Sequence, residues 1–285
     1  MNGVPGSVLV IGLAVTGASV AARLRAEGAD VTVIEDRPGG DSYLARAAAA
    51  RAQGVTVVEA PATECVSKLV QRASLVIPSP LVNERHPAVV AARAAGIPVR
   101  SEVDIAAERA RVPIVAVTGT NGKTTVTSLV EAMCNAGGRR ATAAGNIGTR
   151  TLLDAVDDDV DILVVEVSSF QLAFCETFRP RVAVLLAVAP DHLDWHGGFE
   201  HYAASKARVF ARQRGDDLLV YDADDPVASQ LASAAPAHRV AVTLDPAAEG
   251  AYVARGGRLL APDRAELARV AEMRRALPHD ITNAL

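Results

Sequence analysis

The sequence contains few of the residues on which several protein classes depend. Its 285 residues include three cysteines, Cys65, Cys134 and Cys175, which are far apart and form no Cys-x-x-Cys pair. This number and spacing argue against a disulfide framework and a thiolate metal site, and they fit a reducing compartment. Aromatic residues make up only 4% of the chain, so platforms for stacking nucleic-acid bases are not expected.

Positive charge is not in excess either. The 29 Lys and Arg residues face 33 Asp and Glu residues, which gives a formal net charge of −4 and excludes a general basic surface for nucleic acid or anionic membrane. Strongly apolar runs such as residues 8–15 and 182–189 are far shorter than the roughly 18 residues of a membrane-spanning helix. We therefore expect a cytoplasmic monomer that binds neither nucleic acid nor membrane.

Short runs of β-branched residues alternate with Ala-rich helical stretches, a pattern typical of βαβ units on a parallel sheet. The chain length favours about two domains, at roughly 100 to 200 residues each. Residues 109–113, with two Arg and a Pro, give the best boundary. The predicted fold class is α/β, with a Rossmann-like doubly wound domain (1–111) and a nucleotide-binding α/β domain (112–285).

Hydrophobic periodicity and turn residues locate the individual elements. Predicted strands in the first domain are 8–11, 31–35, 55–58, 74–77 and 97–99, and predicted helices include 17–27 and 87–95. Predicted strands in the second domain are 114–117, 162–166, 182–188 and 218–221. Its predicted helices are 124–136, 200–213, 226–234 after an Asp224 or Asp225 cap, and 265–276, with a hairpin at Gly256-Gly257.

The sharpest motif is the segment 118–125, TGTNGKTT, between an apolar strand and a strong helix. Its glycines let successive backbone N–H groups face one anion, and Lys123 and Thr124 can reach phosphate and Mg²⁺. The motif is a shorter form of the phosphate loop, since Val117 stands where the usual pattern has Gly. A turn without a ligand is the alternative interpretation. The candidate cofactor-binding residues are Gly119, Thr120, Asn121, Gly122, Lys123, Thr124 and Thr125.

Two further polar groups follow predicted strands. Glu166 ends strand 162–166, and His192 follows strand 182–188. The carboxyl ends of parallel strands form the ligand-binding edge of open α/β sheets. Carboxylate and hydroxyl oxygens suit Mg²⁺, so Glu166 and Thr124 are candidate metal ligands. Alternatively, Glu166 is a solvated charge and His192 caps a loop.

These motifs together resemble the Mur ligase family. The segments that carry the resemblance are TGTNGKTT (118–125), GNIG (145–148), EVSSFQL (166–172), DHLDWH (191–196) and YAASKAR (202–208). Segment 166–172 is most similar to the D-glutamate-adding members. The resemblance covers the chain from Val8 to Leu285 and is strongest over 114–208.

The resemblance implies an ATP-dependent ligase of peptidoglycan precursor synthesis that joins D-glutamate to UDP-N-acetylmuramoyl-L-alanine through an acyl-phosphate. It implies two Mg²⁺ ions, with Lys206 as a carbamate. The implied catalytic residues are Lys123, His192 and Lys206, and the implied metal ligands are Thr124, Glu166, His192 and Lys206. The implied substrate-binding residues are Val15, Thr16, Glu35, Asp36, Ser79, Asn146, Ser168 and His192.

In the first domain, Ala14 interrupts the Gly-x-Gly-x-x-Gly pattern after the first strand, so a dinucleotide-binding dehydrogenase is disfavoured. The resemblance implies instead that Val15 and Thr16 meet the substrate diphosphate and that Glu35 or Asp36 meets the uracil. Segment 279–285 resembles the family's adenine-side helix, with Asn283 as a cofactor contact and Asp280 in place of the usual Asn.

From this resemblance we expect the family's third domain to be absent and the chain alone to bind substrate without completing ligation. Two alternatives stay open. One is another Mur or folylpolyglutamate-type ligase, and the other is a non-catalytic nucleotide-binding fragment.

Overall fold

The computed structural model describes residues 6–285, which divide into two compact units. The first unit comprises the described residues up to Arg109 together with Thr151–Asp154 and Ala173–Glu176. The second unit comprises Ala110–Arg150, Ala155–Leu172 and Thr177–Leu285. Within residues 6–285, no helix combines the length and apolar character needed to cross a membrane.

The first unit is built on a four-stranded parallel sheet in the order β3-β2-β1-β4. The central strand β1 is almost entirely buried because its apolar run is covered on both faces, as in doubly wound sheets. The strands are β1 Ser7–Ile11, β2 Asp30–Glu35, β3 Thr56–Glu59 and β4 Leu75–Pro78. The helices are α1 Val15–Ala26, α2 Asp41–Ala52, α3 Thr63–Arg72, α4 Pro87–Ala94 and α5 Glu102–Ala107.

The second unit contains a nine-stranded mixed sheet in the order β13-β12-β11-β10-β9-β8-β5-β7-β6. The pairs from β6 through β11 are parallel, and the last two pairs are antiparallel. The strands are β5 Ile114–Thr118, β6 Ala141–Gly145, β7 Ile162–Glu166, β8 Val182–Leu185, β9 Leu218–Asp222, β10 His238–Thr243, β11 Tyr252–Arg255, β12 Arg258–Leu260 and β13 Glu266–Arg269.

The helices of this part of the chain are mostly short. The longest, α6, follows β5 directly, and α10 carries Lys206. They are α6 Lys123–Ala136, α7 Leu152–Ala155, α8 Ser169–Leu172, α9 Leu193–His196, α10 Phe199–Ala207, α11 Pro226–Ala232 and α12 Pro278–Ala284, with a 3-10 turn Val270–Glu272. Most of α7 belongs to the first unit.

The predicted helix 265–276 is wrong. Its first part is β13, which pairs antiparallel with β12, and the next residues form the 3-10 turn. Pairing with a neighbouring strand overrides the helix propensity of this Ala- and Arg-rich segment. The predicted hairpin at Gly256-Gly257 joins β11 to β12, and both glycines have positive φ, as a tight hairpin turn requires.

Three other elements are shorter than predicted. Strand β8 ends at Leu185 because the next residues turn toward the loop after β5, where Thr120 N–H donates to Ala187 O. Helix α10 ends at Ala207, and the residues that follow it form tight turns. The predicted strand 97–99 is reduced to a single bridge between Val76 and Val99.

Candidate active site

The phosphate-loop segment joins β5 to α6 at the carboxyl edge of the sheet. Gly122 precedes α6 with a φ of +83°, a conformation that favours glycine. A Cβ atom at Gly122 would lie 2.7 Å from Asn283 Oδ1, so a side chain there would displace the Asn283 amide. No side chain caps the first turn of α6. The positive end of this helix can therefore accept an anion.

Lys123, the first residue of α6, bends back over the loop. Its Nζ donates to Gly119 O at 3.1 Å and to Thr120 O at 2.9 Å. The loop therefore carries one ammonium group above its own carbonyls, next to the open helix terminus. This geometry suits a phosphate group, which would attract the ammonium away from those carbonyls.

Glu166 forms hydrogen bonds with two other sequence-predicted residues. Thr124 Oγ1 donates to Glu166 Oε2 at 2.7 Å, and Asn146 Nδ2 donates to Glu166 Oε1 at 2.7 Å. Strand register explains the meeting, since Glu166 pairs with Val117 on β5 and with Gly145 on β6. Thr124 and Asn146, which are 42 and 20 residues from Glu166 in the sequence, thus meet it at one edge of the sheet.

The Glu166 carboxylate is 2% exposed, and no basic side chain within residues 6–285 forms an ion pair with it. Both of its hydrogen-bonding neighbours are neutral. A buried carboxylate needs positive charge nearby, and its oxygens together with Thr124 Oγ1 are the hard ligands that Mg²⁺ takes. The described residues contain no cluster of three or more His, Cys, Asp or Glu side chains that could hold a metal. Mg²⁺ at this position would therefore need further oxygens, from phosphate or water.

Lys206 contacts the same phosphate-loop carbonyl as Lys123. Its side chain is buried, Nζ donates to Gly119 O at 2.6 Å, and Nζ lies 4.6 Å from the centre of the Tyr202 ring. Burial and, to a smaller extent, repulsion from the Lys123 ammonium lower the pKa of the Lys206 amine to about 7, and Asp191 acts in the opposite direction. A substantial fraction of this amine is therefore unprotonated and nucleophilic near neutral pH.

His192 and Ser168 differ in how accessible they are. His192 has a left-handed backbone with φ +49°, its side chain is 50% exposed, and its ring lies 4.7 Å from that of Phe170. The Ser168 N–H and hydroxyl both donate to Gln171 Oε1 at 2.9 Å. Ser168 thus fixes the start of α8, while the half-exposed His192 has its Nε2 3.4 Å from Asp191 Oδ2.

In the first unit, the loop after β1 gathers side chains from the ends of β2 and β4. Glu35 Oε2 accepts the Leu13 N–H at 2.8 Å, and Ser79 Oγ donates to Gly12 O at 3.1 Å. A Cβ atom on Gly17 would lie only 2.0 Å from Gly12 O, so the close turn into α1 requires glycine there. The sequence-predicted substrate residues Glu35 and Ser79 therefore shape this loop.

The other predicted residues of the first unit lie around the same loop. Val15 begins α1 and is 45% exposed, and Thr16 follows it. Asp36 Oδ2 lies 2.8 Å from His86 Nε2. Helix α1, like α6, has no side-chain cap at its first turn.

Sequence reasoning assigned no role to Tyr202 or Gln171. The signal for Tyr202 was present, because a residue four positions before Lys206 on a helix shares its face. No local signal identifies Gln171, whose role depends on the turn that Ser168 starts. The two other motif residues, Asn121 in the loop and Thr125 on α6, are exposed.

Comparison with known proteins decides the family. Residues 117–265 match the Mur ligase middle domain, and residues 6–101 match the N-terminal domain of MurD-like Mur ligases. The chain belongs to the Mur ligase family. The resemblance read from the sequence is thereby confirmed.

Curated relatives extend the match along the chain. A UDP-N-acetylmuramoylalanine--D-glutamate ligase from Frankia casuarinae is 43% identical over 297 residues, covering 98% of this chain and 59% of the relative. A ligase of the same name from Thermobifida fusca is 40% identical, with 98% of this chain and 62% of the relative covered. This Mur ligase chain thus spans about 60% of the length of these relatives.

Solved structures agree on the fold. The UDP-N-acetylmuramate:L-alanyl-gamma-D-glutamyl-meso-diaminopimelate ligase from Neisseria meningitides aligns with a TM-score of 0.60 at 17% identity, covering 98% of this chain and 91% of that chain. A murein peptide ligase from Psychrobacter arcticus aligns with a TM-score of 0.55 at 17% identity, covering 98% and 63%. The predicted α/β fold class is confirmed.

Proposed function

We propose that this Mur ligase chain acts in the ATP-dependent joining of D-glutamate to UDP-N-acetylmuramoyl-L-alanine. The observation that carries the proposal is the convergence of Thr124, Glu166 and Asn146 at the open first turn of α6. The names of the Frankia and Thermobifida relatives indicate the amino acid and the acceptor.

The ATP phosphates bind at the phosphate loop. Backbone N–H groups around Gly122 and the first turn of α6 face the phosphates, and Lys123 moves from the loop carbonyls to the β- and γ-phosphates. Asn283, next to Gly122, lies on the adenine side. Lys123 then stabilises the charge on the transferred phosphoryl group, where electrostatics dominate catalysis.

Thr124 and Glu166 would hold one Mg²⁺, and His192 with a carbamylated Lys206 would hold a second. When bound, these ions neutralise the phosphate charge and draw the phosphate and substrate carboxylate together. Lys206 suits this role because its unprotonated amine can add to CO₂ and release a proton, which converts the neutral amine into an anionic oxygen ligand. The depressed pKa of Lys206 supports that conversion near neutral pH.

The first unit holds the sugar-nucleotide substrate. The uncapped first turn of α1, with Val15 and Thr16, receives the diphosphate, and Glu35 or Asp36 meets the uracil. Ser79 keeps the loop after β1 in shape through Gly12. Asn146, Ser168 and His192 are proposed to face the rest of the substrate from the second unit.

The chemistry then has two steps. The carboxylate of UDP-N-acetylmuramoyl-L-alanine attacks the γ-phosphate and gives an acyl-phosphate, and the amine of D-glutamate displaces phosphate from it. Correct placement of the carboxylate beside the γ-phosphate provides most of the rate enhancement, as in other phosphoryl transfers.

Calorimetric titration with ATP·Mg²⁺ and with UDP-N-acetylmuramoyl-L-alanine tests binding. We expect Lys123→Ala to weaken ATP·Mg²⁺ binding by about tenfold or more, since one charge-assisted phosphate contact is lost. The matched control is Lys68→Ala, an exposed lysine on α3, which should bind as the unchanged chain does. Absence of ATP binding by the unchanged chain, or equal affinities of the two variants, would contradict the proposal.

Amino-acid selectivity is tested separately with radiolabelled D-glutamate. In a longer protein that includes the family's third domain, we expect D-glutamate, rather than L-alanine, L-lysine or L-glutamate, to be incorporated and to stimulate ATP turnover, whereas this chain alone should bind substrate without incorporating it. Stimulation by another amino acid would identify a different Mur or folylpolyglutamate-type ligase. ATP binding with no turnover under any combination of substrates would favour a nucleotide-binding chain without ligase activity.

A further inference from the structure

Thr120, in the phosphate loop, forms hydrogen bonds through both its backbone and its side chain. Its backbone N–H donates to Ala187 O at 2.8 Å. Its hydroxyl donates to Ala189 O at 3.0 Å and accepts from Ala189 N–H at 2.9 Å. The Tyr202 hydroxyl lies 2.9 Å from the same Thr120 oxygen.

These contacts fix the direction of the Tyr202 bond. A hydroxyl has one proton and two acceptor sites. Thr120 gives its proton to Ala189 O and takes one proton from Ala189 N–H, so the remaining acceptor site takes the proton of Tyr202. Tyr202 is therefore the donor.

This arrangement uses every polar group of Thr120. Its N–H donates to Ala187 O, and its hydroxyl is bonded to Ala189 and Tyr202. Its carbonyl accepts from Lys123 Nζ at 2.9 Å. A phosphate needs donors, and Thr120 has no donor left to offer. Gly122 and the start of α6, by contrast, have no side-chain cap.

Tyr202 is itself firmly held. It is 1% exposed on α10, and the edge of its ring meets the His196 ring at 5.3 Å. His196 Nε2 lies 3.0 Å from Ser169 Oγ. A residue with this support can hold a loop in place, because its hydroxyl has little freedom to move.

We propose that Thr120 is a lock of the phosphate loop rather than a phosphate ligand, and that Tyr202 is a positioning residue acting through Thr120. The lock ties the loop after β5 to segment 187–189 after β8, so that the amides at Gly122 keep the orientation that a phosphate needs. This inference rests on the proposed nucleotide binding and assigns to Thr120 a different role from the cofactor contact predicted from the sequence.

Amide hydrogen exchange of the unliganded full chain tests the lock without nucleotide. In Tyr202→Phe, we expect the amides of Thr120 and Ala189 to exchange about fivefold faster, since one hydrogen bond of about 1 kcal/mol is lost. Thr120→Val should have at least this effect, and Thr120→Ser, which keeps the hydroxyl, should restore slow exchange. Tyr43→Phe is the matched control, because Tyr43 is a 6% exposed tyrosine whose hydroxyl donates to Glu59 at 2.8 Å in the first unit.

ATP·Mg²⁺ affinity supplies the second measurement. Tyr202→Phe should weaken binding several-fold, and the same change in a Thr120→Val background should have no further effect, because both act through one contact. Thermal unfolding of each variant separates loosening of the loop from general loss of structure.

The outcomes are distinct. Unchanged exchange in Tyr202→Phe, or additive effects in the double variant, would overturn the proposal. Weaker ATP binding in Thr120→Val than in Tyr202→Phe at equal loop exchange would also overturn it, because the Thr120 hydroxyl would then touch the nucleotide directly. Faster exchange in Tyr202→Phe together with no ATP binding by the unchanged chain would support the lock and refute the proposed nucleotide binding.

Discussion

Each of the two units buries an ionisable side chain whose pKa lies far from its ordinary value. Glu102 in the first unit and Lys206 in the second are both 2% exposed, and burial brings the pKa of each to about 7, from 4.5 and from 10.5 respectively. In both, the charged form is the one that burial disfavours. The two residues therefore share a cause.

Their surroundings differ. Glu102 Oε1 accepts the Leu153 N–H at 2.6 Å, and Oε2 has no hydrogen-bond partner among residues 6–285. Repulsion from Asp154 contributes to the raised pKa of Glu102. Lys206 instead touches Gly119, a residue of the phosphate loop. A perturbed pKa thus indicates function only when reactive or ligand-binding groups are also in contact.

Replacing Lys206 by Met should have the largest effect on stability. Below pH 7 the folded chain buries a charged ammonium. Above pH 10.5 the amine is neutral in both the folded and the unfolded chain. The loss of unfolding free energy caused by burying Lys206 is therefore complete at low pH and absent at high pH. We expect Lys206→Met to raise the free energy of unfolding by about 3–4 kcal/mol near pH 6, after allowance for the lost bond to Gly119. The gain should decline as pH rises from 7 toward 10.5.

Urea unfolding of both proteins across this pH range measures the difference. Lys68→Met removes an exposed lysine and should leave the free energy of unfolding nearly constant. A destabilised Lys206→Met at pH 6, or a difference that is flat with pH, would mean that Lys206 is not held against a burial cost. Such a result would break the parallel with Glu102.

Replacing Glu102 by Gln should have a smaller effect of opposite pH dependence. The folded pKa is raised, so the favourable contribution is fully present below 4.5 and is lost as pH rises through about 7. Gln keeps the acceptor for Leu153 and cannot ionise. We expect equal stability near pH 4 and about 3 kcal/mol in favour of the variant near pH 8.

The same unfolding measurement decides this case, with Glu64→Gln on α3 as an exposed control. A Glu102→Gln chain that follows the parent's pH profile would show that the carboxyl group has an unrecognised cationic or water partner. Glu102 and Lys206 would then differ in mechanism as well as in place.

Sequence reasoning was strongest where local pattern and long-range packing agree. Strand 162–166 matches β7 because its apolar run is buried between the neighbouring strands β5 and β6. Strand β6, with the sequence ATAAG, has no β-branched run and depends on pairing with β7, so no local signal predicted it. Helix 265–276 failed for the same reason, since an antiparallel neighbour decides its conformation.

The candidate site divides in the same way. The motif TGTNGKTT predicted the loop, and Glu166 lies beside Thr124 because parallel strands end at one edge, while their role as metal ligands stays a prediction. The pattern could not distinguish a loop residue that faces a ligand from one that faces the protein. Thr120 and Ser168 form their hydrogen bonds with other protein residues rather than with a ligand. Only their partners in three dimensions, Tyr202 and Gln171, make this clear.

The smallest expected effect compares one helix cap in each unit. Ser101, which is 2% exposed, caps α5 by accepting the Asp104 N–H at 3.3 Å, and Asp225 caps α11 by accepting the Ala228 N–H at 2.7 Å. Alanine at Asp225 should cost about 1 kcal/mol, while alanine at Ser101 should cost about 2 kcal/mol because the freed amide is in a buried environment that water does not reach. Urea unfolding near pH 7 measures both, and Asp225→Asn, which keeps the cap, is the control. Equal losses of unfolding free energy at the two positions would show that burial of the Asp104 amide near Glu102 does not increase the cost of removing its acceptor. The first unit would then tolerate an unpaired polar group as readily as the second.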